Sequence, residues 1–292
     1  VSSLFSKTGS QAGKNGITQQ EFDDLRAFIY EQCGIFIPDN RQYLMENRLS
    51  NRIRALNLSG FGDYYHYLRY DAAREAEVQK LFEVITTNET SFFRNPPQIK
   101  VFEEKILPQV LAKQRAAGRR RLRIWSAGCS TGEEPYTLAI CVHRVLGNEL
   151  RLWDVKITAN DLSRRVVDVA RQGVYSSYAL RTTPTDVVRE YFAPEERVYR
   201  IRSHVAKLVS FDAINLRDRA QLRRVERSEI VFCRNVLIYF DEDMKRRVIS
   251  AFYDNLCTGG YLFIGHSESL HNISRAFKPE HHPGAIIYKR LD

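Results

Sequence analysis

From Thr18 onward the apolar positions follow a helical period. Phe22, Leu25, Phe28 and Ile29 recur on one face, and Thr18 with Glu21 three residues later has the form of a capping box. After a break at Gly34 and Pro38 a second helical stretch runs over about 41–56, with the stripe Met45, Leu49, Ile53 and Leu56. Gly60 and Gly62 read as its end, and two more helical segments follow at 64–69 and 75–85. Residues 16–85 are therefore expected to form a small all-helical domain. Further on, short apolar runs alternate with helical ones. The strand candidates are 122–126, 155–159, 206–211, 229–234, 260–265 and 284–289; the helices fit at 98–114, 133–146, 163–171 and 242–256. Such alternation predicts an α/β fold with a doubly wound parallel sheet over 98–292. Between Val174 and Arg202 the rhythm breaks into Tyr-, Pro-, Arg- and Thr-rich sequence, which predicts an inserted subdomain over about 175–203. Residues 1–15 have no periodicity and are expected to be a disordered tail.

The junction of the first strand and the next helix carries the chemistry. Ala127-Gly128-Cys129-Ser130-Thr131-Gly132-Glu133-Glu134-Pro135 follows the apolar run Leu122, Ile124, Trp125 and opens the helical run from Tyr136. Gly128 and Gly132 permit positive φ and close backbone approach, and free N–H groups at a helix start attract a polar ligand. The turn lacks the third glycine of a dinucleotide fingerprint and the lysine of a P-loop. In their place stand two carboxylates, Glu133 and Glu134. They would repel a pyrophosphate and attract a cationic nucleoside, which points to S-adenosylmethionine (SAM). Three further pieces of a SAM site come in order after successive strands. Asp161 ends the second strand, where an acid holds ribose hydroxyls. Asp212-Ala213-Ile214-Asn215-Leu216 offers amides to an adenine. Cys233-Arg234-Asn235-Val236-Leu237-Ile238-Tyr239-Phe240 would face the methyl group. A linker at 86–97 includes Thr86-Thr87-Asn88-Glu89-Thr90-Ser91-Phe92-Phe93-Arg94, a polar stretch with an aromatic anchor that suits a loop contributing to the active site.

Composition narrows the class. A 43% apolar content over 292 residues supplies a globular core and excludes wholesale disorder. No run approaches the roughly 20 apolar residues of a membrane span, and no signal-peptide core stands at the N-terminus. Five cysteines without a C-x-x-C pair read as reduced thiols, so a cytoplasmic protein is expected. His271, His281 and His282 lack the spacing of a known metal site, so no metal is expected. The net charge of +9 is uneven. Residues 113–123 carry six Lys and Arg without one acid, and residues 197–227 carry nine against three acids. An acidic partner fits this excess, as does a solvated basic face. On the 41–56 helix, Arg41, Arg48 and Arg52 fall within roughly 40° of one another beside the apolar stripe, where they suit docking on an acidic surface.

The motifs taken together resemble one family. Thr87-Asn88, Thr90, Phe92-Phe93-Arg94, the stretch Ser126 to Tyr136, Asn160-Asp161, Asn215-Leu216, Phe232 to Phe240 and Gly265-His266-Ser267-Glu268 are similar to those of the CheR chemotaxis receptor methyltransferases, over about 18–292. The resemblance implies a Rossmann-like class I SAM methyltransferase domain with a small β insertion, and an N-terminal all-helical domain that docks on receptors. It implies a protein-glutamate O-methyltransferase that converts SAM to S-adenosylhomocysteine on the cytoplasmic helices of methyl-accepting chemoreceptors. By motif position Asn88, Thr90, Arg94, Glu133, Asp161, Asn215, Leu216, Arg234 and Asn235 would contact SAM beside the Gly128 turn, and Arg94 and Tyr239 would stand at the reacting end. The sequence leaves open which of Glu133 and Glu134 faces the cofactor, which receptors are substrates, and whether the insertion binds a receptor C-terminal tether peptide. A monomer without membrane insertion or nucleic-acid partner is expected. The rival reading is a nucleic-acid methyltransferase, prompted by the charge and by Asn95-Pro96-Pro97-Gln98. That motif lacks the ring which stacks on a flipped base.

Overall fold

The computed structural model describes residues 16–291, so the tail expected at 1–15 lies outside the described residues. The chain divides into two compact units. One runs to Thr86 apart from residues 33–35, and the other comprises Cys33–Ile35 and the chain from Thr87.

The first unit is built on four helices, α1 Gln19–Cys33, α2 Gln42–Ala55, α3 Phe61–Tyr70 and α4 Arg74–Ile85. The capping box is present: Thr18 N donates to Glu21 Oε2 at 2.9 Å, and Glu21 N donates to Thr18 Oγ1 at 3.3 Å. The apolar stripes face inward, with Phe22, Leu25, Ile29, Met45, Leu49, Leu68 and Leu81 buried. The glycines at 60 and 62 do not end α2. Asn57, at φ 55°, follows its last turn, while Gly60 precedes α3 and Gly62 sits inside its first turn. Arg41, which precedes α2, and Arg48 and Arg52 within it have side chains placed differently from one another. Arg41 is exposed, and Arg48 donates to the Ile85 carbonyl. Arg52 is committed inward: its Nε and Nη2 reach the two oxygens of Glu77 at 2.9 and 2.6 Å. Glu77 is only 4% exposed and also accepts from the Tyr64 hydroxyl at 2.8 Å.

Arg52→Ala would strand that buried carboxylate with one neutral donor. We expect a loss of about 1–3 kcal/mol in this unit, below the full cost of an isolated buried charge because Tyr64 stays. Adding Glu77→Gln should recover part of it. Equal denaturation midpoints for Arg52→Ala and the parent would contradict this.

The second unit holds a seven-stranded sheet. Its strands, numbered with those of a smaller sheet, are β1 Arg121–Ala127, β2 Asp154–Asp161, β3 Val174–Ser176, β4 Phe192–Glu195, β5 Val198–Ile201, β6 Val209–Ala213, β7 Ser228–Cys233, β8 Leu256–Ile264, β9 Phe277–His282 and β10 Ala285–Arg290. The large sheet has the order β6-β2-β1-β7-β8-β10-β9. Strands β6, β2, β1, β7 and β8 pair in parallel, and β10 is antiparallel to both its neighbours. Side chains alternate between two cores, as the two-residue period requires. Leu122, Ile124, Ile230 and Phe232 enter one, and Trp125, Ala127, Val231 and Cys233 enter the other. The remaining strands form a separate antiparallel sheet, β3-β5-β4, inserted between β2 and β6.

Further sequence expectations differ from what is observed. The helix expected at 98–114 is interrupted: Pro96–Val101 passes through a π turn at Phe102–Ile106 into Leu107–Ala116. Pro108 offers no N–H to the carbonyl four residues back and its ring crowds that carbonyl, so the upstream turn widens. Strand β9, which contains Pro279, was not among the expected strands. It lies at the sheet edge, where a missing ladder donor is tolerated.

Candidate functional site

Register brings the loops together. Ala127 lies opposite Asn160, Asp161 opposite Ala213, Ser126 opposite Phe232, and Cys233 opposite Ile264. The carboxyl ends of β1, β2, β6, β7 and β8 therefore open on one edge, the ligand-binding edge of such sheets. At that edge the chain leaves β1 through a tight turn. Gly128 has φ 77°, Ser130 φ 50° and Gly132 φ 95°. A Cβ on Gly128 would meet Val236 Cγ2 at 2.4 Å, so only glycine lets the turns after β1 and β7 come this close.

Asn160 and Asp161 hold the turn in shape. The Asn160 carbonyl accepts from Gly128 N and Cys129 N at 2.8 and 2.9 Å, and its side-chain oxygen accepts from Trp125 Nε1 at 2.6 Å. Asp161 accepts from Ser130 N at 2.9 Å and from Ser163 N at 3.1 Å. The two glutamates opening the helix Glu133–Leu146 part company. Glu134 accepts from Ser126 Oγ at 2.8 Å and pairs with Arg234 at 3.2 Å. Glu133, 5% exposed, accepts from the Thr131 hydroxyl at 2.7 Å. Burial holds the carboxyls of Glu133, Glu134 and Asp161 above the ordinary carboxylate range. Hydrogen bonds oppose the shift in all three, and Arg234 opposes it at Glu134.

The stretch 87–94 is folded onto this unit by its aromatic pair. Phe92 is fully buried, edge-on to Tyr175 and Phe192 with centroids at 4.7 and 4.9 Å. Phe93 N donates to Thr137 Oγ1 at 3.1 Å, and the Asn88 carbonyl accepts from Ser130 Oγ at 3.3 Å. The insertion clasps the same stretch: Phe92 N donates to the Ala179 carbonyl at 2.9 Å, and Arg181 donates to the Thr90 carbonyl at 3.4 Å. Arg234, almost fully buried, donates to the Arg94 carbonyl at 2.7 Å, which brings the end of this stretch to the end of β7. The Arg94 side chain is half-buried and donates to the Glu89 carbonyl at 3.0 Å. Asn235 follows at φ 60°, and half-buried Tyr239 ends the 3-10 turn Leu237–Tyr239. Beyond β6, Asn215 N donates to Gln221 Oε1 at 3.0 Å, and Asn215 with Leu216 stays half-buried.

Every residue expected at the cofactor or reacting end thus lies in the second unit, at or just beyond these strand ends or on the stretch Arg234 ties to them. Asn160 was quoted in a motif without a role; an amide ahead of Asp161 at the end of a buried strand was the available signal. Tyr175, whose hydroxyl donates to the Thr131 carbonyl at 2.9 Å, gave no such signal within the insertion. The Asn95-Pro96-Pro97-Gln98 motif begins a helix. Gln98 is buried and donates to the Ile264 carbonyl at 2.8 Å, away from any base-stacking role.

The sheet order, the glycine turn and the acid closing β2 define a Rossmann-like SAM-dependent methyltransferase. The chain belongs to the CheR methyltransferase family: residues 88–286 match its SAM binding domain and residues 20–86 its all-alpha domain. It is 36% identical over 280 residues to the chemotaxis protein methyltransferase of Vibrio anguillarum, across 94% of this chain and 98% of that protein. To the chemotaxis protein methyltransferase of Salmonella typhimurium it is 34% identical over 268 residues, across 89% of this chain and 88% of that one. Chemotaxis protein methyltransferase 2 of Vibrio cholerae is 34% identical over 262 residues, across 89% of each chain. This chain is accordingly a SAM-dependent methyltransferase of chemotaxis. No helix among the described residues is long and apolar enough to cross a membrane.

Proposed function

We propose that the protein transfers methyl groups to glutamate side-chain carboxylates on the cytoplasmic helices of chemoreceptors, giving methyl esters for adaptation. The observation that carries this reading is Arg94: a half-buried guanidinium on a loop at the ligand-binding edge that donates to a backbone carbonyl. Such a fork suits an incoming carboxylate. A glutamate with a reference pKa of about 4.3 is ionised near neutral pH and is already a nucleophile, so no general base is required.

The donor set suits SAM. Glu133 and Asp161 supply buried negative charge, and Glu134 is matched by Arg234, so Glu133 is the glutamate assigned to the cofactor. Asn88, Thr90, Asn215, Leu216, Arg234 and Asn235 are assigned to its remaining contacts around the Gly128 turn, Arg234 mainly by holding Glu134 and the Arg94 carbonyl. When bound, SAM supplies an electrophilic methyl on a sulfonium. Arg94 and Tyr239 orient the acceptor carboxylate, and the Phe92–Phe93 anchor keeps the 88–94 stretch over the site to exclude water. Alignment of this kind is worth roughly 7–11 kcal/mol in favourable systems. On the helical unit, exposed Arg41 is the leading candidate to meet receptor acids, with Arg48 beside it and Arg52 supporting the helix from inside. Transfer of labelled methyl to receptor fragments with and without their C-terminal tails, against DNA and RNA, tests the substrate class and the tether peptide together. Label in nucleic acid but not in receptor would reverse this reading.

The buried carboxyls make the cofactor pH-sensitive. Their folded-state pKa values are raised, so each charge is fully present only above the raised value and is lost as pH falls through it. SAM affinity is therefore expected to weaken as pH is lowered through the raised range of these carboxyls, above where ordinary carboxylates titrate. The same groups stabilise the cofactor-free fold in the opposite sense: the folded state holds their protons more tightly, so their contribution grows as pH falls towards the unfolded pKa. Titration calorimetry at stepped pH checks this, and a flat affinity profile would contradict it.

A further inference from the structure

The segment Gly265-His266-Ser267-Glu268 follows β8, and its acid is not used by the mechanism above. Among the described residues Glu268 forms no close ion pair, although the buried Arg234 guanidinium feels its charge. Its two oxygens instead collect backbone amides: Oε2 accepts from Gly265 N at 2.6 Å and Asn235 N at 3.0 Å, and Oε1 accepts from Ile238 N at 3.1 Å. Two of these amides belong to the loop after β7. Asn235 is held there in the left-handed region at φ 60°, and Ile238 is the middle residue of the 3-10 turn that ends in Tyr239. The Ile238 side chain is 52% exposed, so packing anchors this turn at buried Leu237 and Phe240 and not at Ile238, whose amide is held by Glu268. The clamp also demands a glycine: a Cβ at Gly265 would lie 2.7 Å from Glu268 Oε2 and 3.0 Å from Asn235 N.

We propose that Glu268 is a positioning residue for methyl transfer, a carboxylate clamp that fixes the turn presenting Tyr239 to the acceptor. Three N–H groups converge on one anion, and hydrogen bonds to a charged acceptor are stronger than neutral ones. Glutamine cannot reproduce the arrangement. Its oxygen can serve Gly265 and Asn235, but its NH2 then opposes the Ile238 N–H, and the Tyr239 turn alone is released. The inference rests on the assignment of Tyr239 to the reacting end.

The test is a double-mutant cycle of Glu268→Gln and Tyr239→Phe, with kcat and KM for SAM measured on receptor fragment. Glu268→Gln is expected to lower kcat at least tenfold with KM for SAM within threefold. In the Tyr239→Phe background it should lower kcat less than twofold. An unchanged kcat, or the same fold loss in both backgrounds, would overturn the clamp. A neutral Tyr239→Phe would instead remove Tyr239 from the reacting end, and the clamp with it, whereas an impaired Tyr239→Phe with an additive Glu268→Gln would overturn the clamp alone. Hydrogen exchange on the unaltered protein decides the matter even if Glu268→Gln fails to fold. The Ile238 amide should be protected despite its exposed side chain, and free exchange there would overturn the proposal.

Discussion

Replacing Arg94 by alanine is expected to slow methyl transfer by about 10²–10³-fold, the usual loss when one preorganised donor is removed from a reacting centre. The fold should survive. The main chain at Arg94 is held by Arg234 through its carbonyl, and the stretch before it is anchored by Phe92 and Phe93, so neither support depends on the Arg94 side chain. The guanidinium, its bond to the Glu89 carbonyl and its charge near Glu134 disappear. Lysine should recover part of the rate, because it keeps the charge but not the two-pronged geometry. Steady-state kinetics with a melting curve separate the two effects. Activity within twofold of the parent would remove Arg94 from the reacting end and leave the 87–94 stretch as a packing joint.

The second large effect is expected at Asp161. Asp161→Ala should weaken SAM binding by about 1.5–3 kcal/mol, the range for hydrogen bonds to a charged group, or roughly ten- to a hundredfold in Kd. The residue acts twice. Its carboxylate is assigned to the ribose hydroxyls, and it also accepts from Ser130 N and Ser163 N, which keeps the glycine turn against the end of β2. Asp161→Asn separates these parts, since an amide can still accept from one of the two N–H groups. It should bind more tightly than the alanine variant and less tightly than the parent. Calorimetry with a folded variant of unchanged affinity would take Asp161 out of the cofactor site.

Much of this was legible in the chain, for physical reasons that differ by region. The sheet could be read because β1 and β7 are buried runs and β2 and β8 end in them, and the glycine turn because only positive φ fits there. The Arg94 and Tyr239 assignments came from resemblance, since no period or spacing marks a residue that works through a loop. What the sequence could not supply was pairing. Glu133 and Glu134 look alike in the chain. They are told apart by their partners, above all by Arg234, which lies a hundred positions further on and salt-bridges Glu134. Arg41, Arg48 and Arg52 look equivalent by angle, yet Arg52 is drawn inward by Glu77 on another helix. The widened turn at 102–106 and the edge strand β9 both involve prolines, whose effect depends on where neighbouring carbonyls and strands lie.

The central claim is that the methyl group ends on a carboxylate oxygen, and the chemistry of the product tests it directly. Receptor fragment labelled from radioactive SAM should release its label as volatile methanol under mild alkali, as a methyl ester does, and peptide mapping should put each added methyl on a glutamate. Label that resists alkali, or that maps to lysine, arginine or nucleic acid, would contradict the account.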